Sequence, residues 1–164
     1  MHAAVPATSQ GLYEMLVATS HEIHAWGLID GTDRPLGAAA ATVAWFAPAQ
    51  KLVIFHCGDT MAWHFDGTRV ERLTREHVTG RGITHYFGQT DRFRLDVEAF
   101  SFEPGDLLCM VTDGVTESMS DADVQQVLQE CSDPEVAARE LVHRARGKGS
   151  RDGITALVVE LEEW

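Results

Sequence analysis

The stretch that most constrains this chain reads Pro104-Gly105-Asp106-Leu107-Leu108-Cys109-Met110-Val111-Thr112-Asp113-Gly114-Val115-Thr116-Glu117. Pro104-Gly105 is a turn dipeptide. The unbroken apolar run over 107–111 has the length of a strand, and a strand apolar on both faces must be covered on both. Any fold for this chain therefore buries a sheet on its two sides. Asp113-Gly114 stops the run abruptly, and Gly114 lets the backbone turn sharply or approach another group closely. An acid there stands at the rim of a core on a rigid element, where a metal-binding or catalytic carboxylate is useful. The same two residues also make an ordinary Asp-Gly turn, and the stretch alone leaves both readings open.

The rest of the chain predicts elements that could provide the cover. Residues 1–8 have no periodicity and read as a loose end. Ser9 can cap a helix in which Leu12, Met15, Leu16, Thr19, Ile23 and Trp26 form one stripe. His21 and His24 are spaced to share a metal, but no third ligand is near them in sequence, and they read as surface residues. Residues 27–35 form a turn-rich connection. Strands are predicted over 38–46 and 52–57, with 61–65 continuing in extended form. Asp66-Gly67 marks a hairpin with a return strand over 70–73. This is an antiparallel meander. Residues 74–90 carry three glycines without a clear period, long enough for a functional flap. Phe93, Leu95, Val97 and Ala99 alternate with polar residues, as in a half-buried strand. After the opening stretch, Ser120-x-x-Asp123 predicts a capped helix, Asp133-Pro134 a second one, and 154–161 a C-terminal strand.

At 164 residues the chain has the length of a single domain, 1–164, with a sizeable core. Its formal net charge of -12 argues against nucleic acid or an anionic membrane as partner, and is compatible with a site that holds cations. Cys57, Cys109 and Cys131 form no paired framework, which favours a reducing, cytoplasmic compartment. Neither a signal-peptide pattern nor an apolar run of spanning length is evident. His56 beside Cys57 suggests a thiol–imidazole pair, but neighbours on a strand point to opposite faces. Trp26, Trp45, Trp63 and Trp164 read as packing residues.

Three acids share one context. Asp59 follows Gly58 at a strand end, Asp113 precedes Gly114 at another, and Asp152 stands just before the C-terminal strand. In an antiparallel sheet the end of one strand lies beside the start of its neighbour, so Asp113 and Asp152 meet if their strands pair. Clustered carboxylates repel unless a cation is present. Oxygen ligands without His or Cys favour Mg²⁺ or Mn²⁺ over Zn²⁺. Three solvated turn aspartates would produce the same spacing.

The order of the motifs resembles the metal-dependent protein serine/threonine phosphatases of the type 2C class, the PPM family, in compact bacterial form. Residues 37–46 resemble that family's Met-Gly-Thr-Thr strand, and Cys57-Gly58-Asp59-Thr60 its Gly-Asp-Ser motif. Leu73-Thr74-x-x-His77 follows, then 83–88 resembles the segment ending in Leu-Gly. Residues 104–114 resemble the Pro-Gly-Asp…Ser-Asp-Gly signature, and 150–155 resemble Arg-Asp-Asn-Ile-Thr, with Gly153 in place of the Asn. The resemblance implies an α+β fold, a four-layer αββα sandwich of two antiparallel sheets flanked by helices. It implies that Asp113 and Asp152 hold a catalytic Mn²⁺ or Mg²⁺, and that Asp59, Asp113 and Glu117 form a further, weaker metal site. Gly58 and Gly114 would shape the turns, with Arg151 beside Asp152, and residues 79–87 fall where the family carries its flap. The implied partner is a phosphorylated protein, a serine/threonine kinase or its target.

The family's early acidic segment with its phosphate-binding Arg, and its Asp-Gly-x-Gly-Gly motif, are not found. Asp30-Gly31 is followed by Thr32-Asp33, comes after the first helix, and reads as a turn. The expectation is a domain truncated at its N-terminus, whose site lacks a bridging carboxylate. Three functions follow: a hydrolase acting in signalling on phosphoserine or phosphothreonine esters, a catalytically inactive phosphatase-like binding or regulatory module, and a cousin of the phosphatases that act on anti-anti-sigma factors, which 112–117 would suit.

Overall fold

The computed structural model describes residues 8–28, 37–49, 51–80, 82–89 and 93–163. The loose end before residue 8, the turn at Asp30-Gly31 and Trp164 lie outside them. Helix α1 spans Ser9–Leu28. The strands are β1 (Ala41–Ala47), β2 (Lys51–Cys57), β3 (Met61–Phe65), β4 (Val70–Arg72), β5 (Val78–Thr79), β6 (Gly82–Ile83), β7 (Asp96–Ser101), β8 (Leu107–Val111) and β9 (Ala156–Glu160). Between β8 and β9 lie helices α2 (Asp113–Thr116), α3 (Asp121–Glu130) and α4 (Pro134–Gly147).

Two antiparallel sheets form, ordered β1-β2-β7 and β4-β3-β8-β9, with β5 and β6 as a separate small pair. Strand alternation sorts side chains into three apolar layers. Val53, Phe55 and Cys57 of β2 face α1, where Leu12 and Leu16 meet them. Leu52 and Ile54 face inward between the sheets, with Ala62 of β3 and Leu108 of β8. Met61, Trp63, Cys109 and Val111 point the other way, onto Val124, Val127, Leu128 and Leu141 of α3 and α4. The order helix, sheet, sheet, helix is the expected four-layer sandwich, and β8 is covered on both faces as its composition demands.

The helical caps behave as the sequence dictates. Ser120 and Asp123 form a reciprocal capping box at α3. The Asp133 carboxylate accepts from the amides of Glu135 and Val136, with Pro134 in the first turn of α4. At the β3–β4 hairpin Asp66 accepts from the amides of Thr68 and Arg69, and Gly67 takes φ of 86°.

Three expectations are corrected. Thr8 rather than Ser9 caps α1, its hydroxyl accepting from the Gly11 amide at 3.1 Å. The stripe of α1 is also narrower than periodicity suggests: Met15 is 38% and Trp26 62% exposed, while Ser20 is fully buried. Ser20 belongs inside because its hydroxyl accepts from the Gly88 amide and donates to the Gln89 carbonyl. His24 Nδ1 donates to the Gly88 carbonyl, so it is committed to the same loop, while His21 is exposed. The strand predicted over 93–99 forms instead as β7, Asp96–Ser101. β7 pairs only with β2 among the described residues, so Val97, beyond the reach of α1, stays exposed. Phe93 and Leu95 still pack beneath α1, but as irregular chain.

Candidate metal centre

The site lies where both sheets end. β8 and β9 pair antiparallel with Val111 opposite Ala156, which brings the residues after β8 beside those before β9. Thr112 fastens the two. Its hydroxyl donates to the Gly153 carbonyl at 2.8 Å and accepts from the Thr155 amide at 3.0 Å, and its own amide donates to the Thr155 carbonyl. Asp113 and Asp152 are thereby held on adjoining segments.

Asp113-Gly114 is not the sharp turn that the dipeptide suggests. Asp113 opens the single helical turn α2, and Gly114 is buried within it. The glycine is required by proximity: a methyl group at 114 would lie 2.6 Å from the Gly153 carbonyl oxygen and 3.0 Å from its carbon. Gly58 meets both conditions. Its φ is +119°, and a Cβ there would lie 2.3 Å from the Cβ of Ala40. The Gly58-Asp59-Thr60 link carries the chain from β2 in one sheet to β3 in the other, with Asp59 at its middle.

The electrostatics tie these acids together. Burial pushes the Asp113 carboxyl above the ordinary range, and the negative charges of Asp59, Asp152 and Glu117 push it the same way. The Gly114 amide opposes them. Acids from three separate stretches thus act on Asp113. Asp59, Asp113 and Glu117 line an open cavity of about 360 Å³, bounded on its other side by the β5–β6 hairpin. A short hairpin, β5–β6, thus stands beside the acids at the start of the stretch where a flap is expected. Asp152 is exposed, and its carboxylate accepts from the Gly153 amide at 2.6 Å. Arg151 is exposed next to it. Lys148 is paired with Asp123 at 2.6 Å.

Glu76 is a further acid lining the cavity that motif reading missed. Its only signal was a place three residues before Thr79 in a stretch without period. Thr112 was also missed as a fastener, because its role depends on strand register. The donor set is all oxygen, which suits a hard divalent cation. Among the described residues no three Asp, Glu, His or Cys side chains converge closely enough to enclose an ion as they stand. The acids are close enough to repel, but do not form a closed cage.

The other candidate chemistry recedes. Burial raises the Cys57 thiol to about 12, and it faces the α1 core. His56 is buried on the opposite face, bonded to Thr42 and to the Arg75 carbonyl. Trp63 is buried and its indole donates to Asp121 at 3.1 Å.

Residues 15–162 match the family model described as Stage II sporulation protein E (SpoIIE). The chain belongs to the SpoIIE family. This SpoIIE-family chain is also 35% identical to Protein phosphatase 2C homolog 4 of Schizosaccharomyces pombe, over 73% of its own length and 41% of that protein's. It thus spans about two fifths of the curated relative, and the type 2C phosphatase class expected from its motifs holds. Among solved structures it is similar to PppA, a regulatory component of T6SS in Pseudomonas aeruginosa, with TM-score 0.85 and 23% identity, covering 95% of this chain and 74% of that one. It is similar to the Mycobacterium tuberculosis serine/threonine phosphatase PstP/Ppp, with TM-score 0.79 and 20% identity, covering 94% and 72%. A PstP catalytic domain solved in complex with manganese ions matches with TM-score 0.81 and 18% identity, covering 99% of this chain and 75% of that one. At these identities the solved structures show the SpoIIE-family chain to share the phosphatase fold.

Proposed function

We propose that this chain is a metal-dependent phosphatase domain that hydrolyses phosphoserine or phosphothreonine esters of proteins. One observation carries the reading: Asp113, fixed at the end of a buried strand, is surrounded by the charges of Asp59, Asp152 and Glu117 at the edge of an open cavity. Asp113 and Asp152 would hold Mn²⁺ or Mg²⁺, with Asp59 and Glu117 at a second, weaker position. A divalent cation there supplies neutralising charge and lowers the pKa of a bound water. The chain's own contribution is to aim the acids, to leave Arg151 exposed next to Asp152 for a phosphate dianion, and to wall one side of the cavity with the β5–β6 hairpin. The implied partners are phosphorylated proteins, including a serine/threonine kinase or its target. The reading extends to a cytoplasmic setting, supported by three cysteines that form no disulfide. Among the described residues no helix is long and apolar enough to cross a membrane.

A second reading, a phosphatase-like module that binds without turnover, is favoured by the absence of a closed cluster of three ligands among the described residues. One set of measurements separates the two. Turnover of p-nitrophenyl phosphate with Mn²⁺, lost in Asp113→Ala, supports hydrolysis. A Mn²⁺-induced rise in Tm and phosphopeptide binding, without turnover, supports the module. If millimolar Mn²⁺ leaves Tm unchanged, the metal-site reading fails in both forms.

A further inference from the structure

The acids do not account for His77, which sits between the Asp59 turn and the β5–β6 hairpin and bonds to both. Its backbone amide donates to the Gly58 carbonyl at 2.7 Å, and the Gly58 amide donates to its ring Nδ1 at 3.2 Å. One residue therefore engages both the amide and the carbonyl of Gly58, immediately before Asp59. The His77 carbonyl accepts from the Thr84 amide at 2.7 Å, just outside the Val78–Ile83 and Thr79–Gly82 pairs of the hairpin. The same residue thus closes the base of the hairpin.

The ring itself is held. Because Nδ1 accepts from the Gly58 amide, Nε2 carries the hydrogen and donates to Asp96 Oδ2 at 3.0 Å. Asp96 lies on β7, in register with His56 of β2. The His77 ring is flanked by those of His56 and His85, each with centroids 4.9 Å away, and its side chain is 12% exposed. Both ring nitrogens are thus committed, and neither to an acid of the site. That is the pattern of a residue that acts through its neighbours.

We propose that His77 is a positioning residue that locks the Gly58-Asp59 turn and the β5–β6 hairpin into one fixed relation, aiming Asp59 towards Asp113 and holding the hairpin beside the acids. The consequence for metal uptake rests on the function proposed above, whereas the locking itself does not.

The test uses the full chain and three variants. His77→Ala removes the ring acceptor. His77→Asn places its Oδ1 near the position of Nδ1 and keeps it. Asp96→Ala, at an exposed carboxylate on an edge strand, leaves the backbone bonds of His77 intact and frees only the ring. Amide hydrogen exchange by NMR is read at Gly58, at Thr84 and in the hairpin. In His77→Ala, exchange should rise about tenfold or more at Gly58 and at Thr84 together. His77→Asn should restore both to within a few-fold of wild type, and Asp96→Ala should fall between. Mn²⁺ affinity, measured by calorimetry, should drop by about 10–100-fold in His77→Ala and recover in His77→Asn. The proposal is overturned if Thr84 keeps its protection when Gly58 loses it, or if His77→Asn behaves as His77→Ala. Should His77→Ala fail to fold, unchanged Gly58 exchange in Asp96→Ala overturns it equally. If wild type takes up no Mn²⁺, the functional reading fails while the exchange data still decide the locking.

Discussion

At the scale of single residues, the site is built by two glycines and one disfavoured charge. Asp113 is harder to ionise in the folded chain than in the unfolded one. The native state therefore binds more protons between the two values, and stability falls as pH rises from about 4, the ordinary aspartate value, through the raised one. Asp113→Asn removes that cost. Without metal it should melt about one to two degrees above wild type near pH 7, and level with it below about pH 4, by calorimetry. With Mn²⁺ the order should reverse, since the variant would lose the proposed ligand that links binding to stability. Gly114→Ala tests the close approach. Its methyl group would meet the Gly153 carbonyl at 2.6 Å, so the 152–155 segment must move. The expected cost is about 1–3 kcal/mol, seen as a lower denaturation midpoint, together with weaker Mn²⁺ uptake. Asp59, Asp113 and Asp152 were legible as candidates because each stands against a glycine, whereas Glu117 entered only through the family resemblance. Glu76 and Thr112 were not legible, because cavity lining and strand register are properties of the folded chain.

Among the elements, those whose local chemistry agrees with their packing were legible. The β8 run, the capping box of α3 and the Asp133-Pro134 start of α4 each carry a local signal that tertiary contacts confirm. Asp133→Ala should cost about 1 kcal/mol through two lost cap bonds, with far-UV circular dichroism of the folded protein unchanged. Elements decided by distant contacts were not legible. The stripe of α1 looked wide because Met15 and Trp26 fall on it, but the sheet beneath has three strands among the described residues and both side chains stay exposed. β7 slipped by a few residues because an edge strand need bury little. The two-residue strands β5 and β6 are exposed and leave no periodic trace.

For the whole molecule, the four-layer order was implied by the family resemblance, with which a meander and late helices agreed, and composition added a net charge of -12. That charge repels itself across the surface, so raising NaCl from about 0.01 to about 0.15 M, which shortens the screening length from about 30 to about 8 Å, should raise Tm. Unchanged or lower Tm would place the charges too far apart to matter. The connections between the sheets carry a further consequence. The chain crosses from one sheet to the other three times: through 58–60 at the acid end, through the stretch between β4 and β7 that carries the β5–β6 hairpin, and through 102–106 at the far end, where Gly105 and Asp106 exchange backbone bonds with Leu161. The sandwich is stitched at both hems, so neither sheet can peel away while the other stays folded. Heating should then give one calorimetric transition whose van't Hoff and calorimetric enthalpies agree. A cation seated against Asp59 would shift that transition as a whole rather than split it.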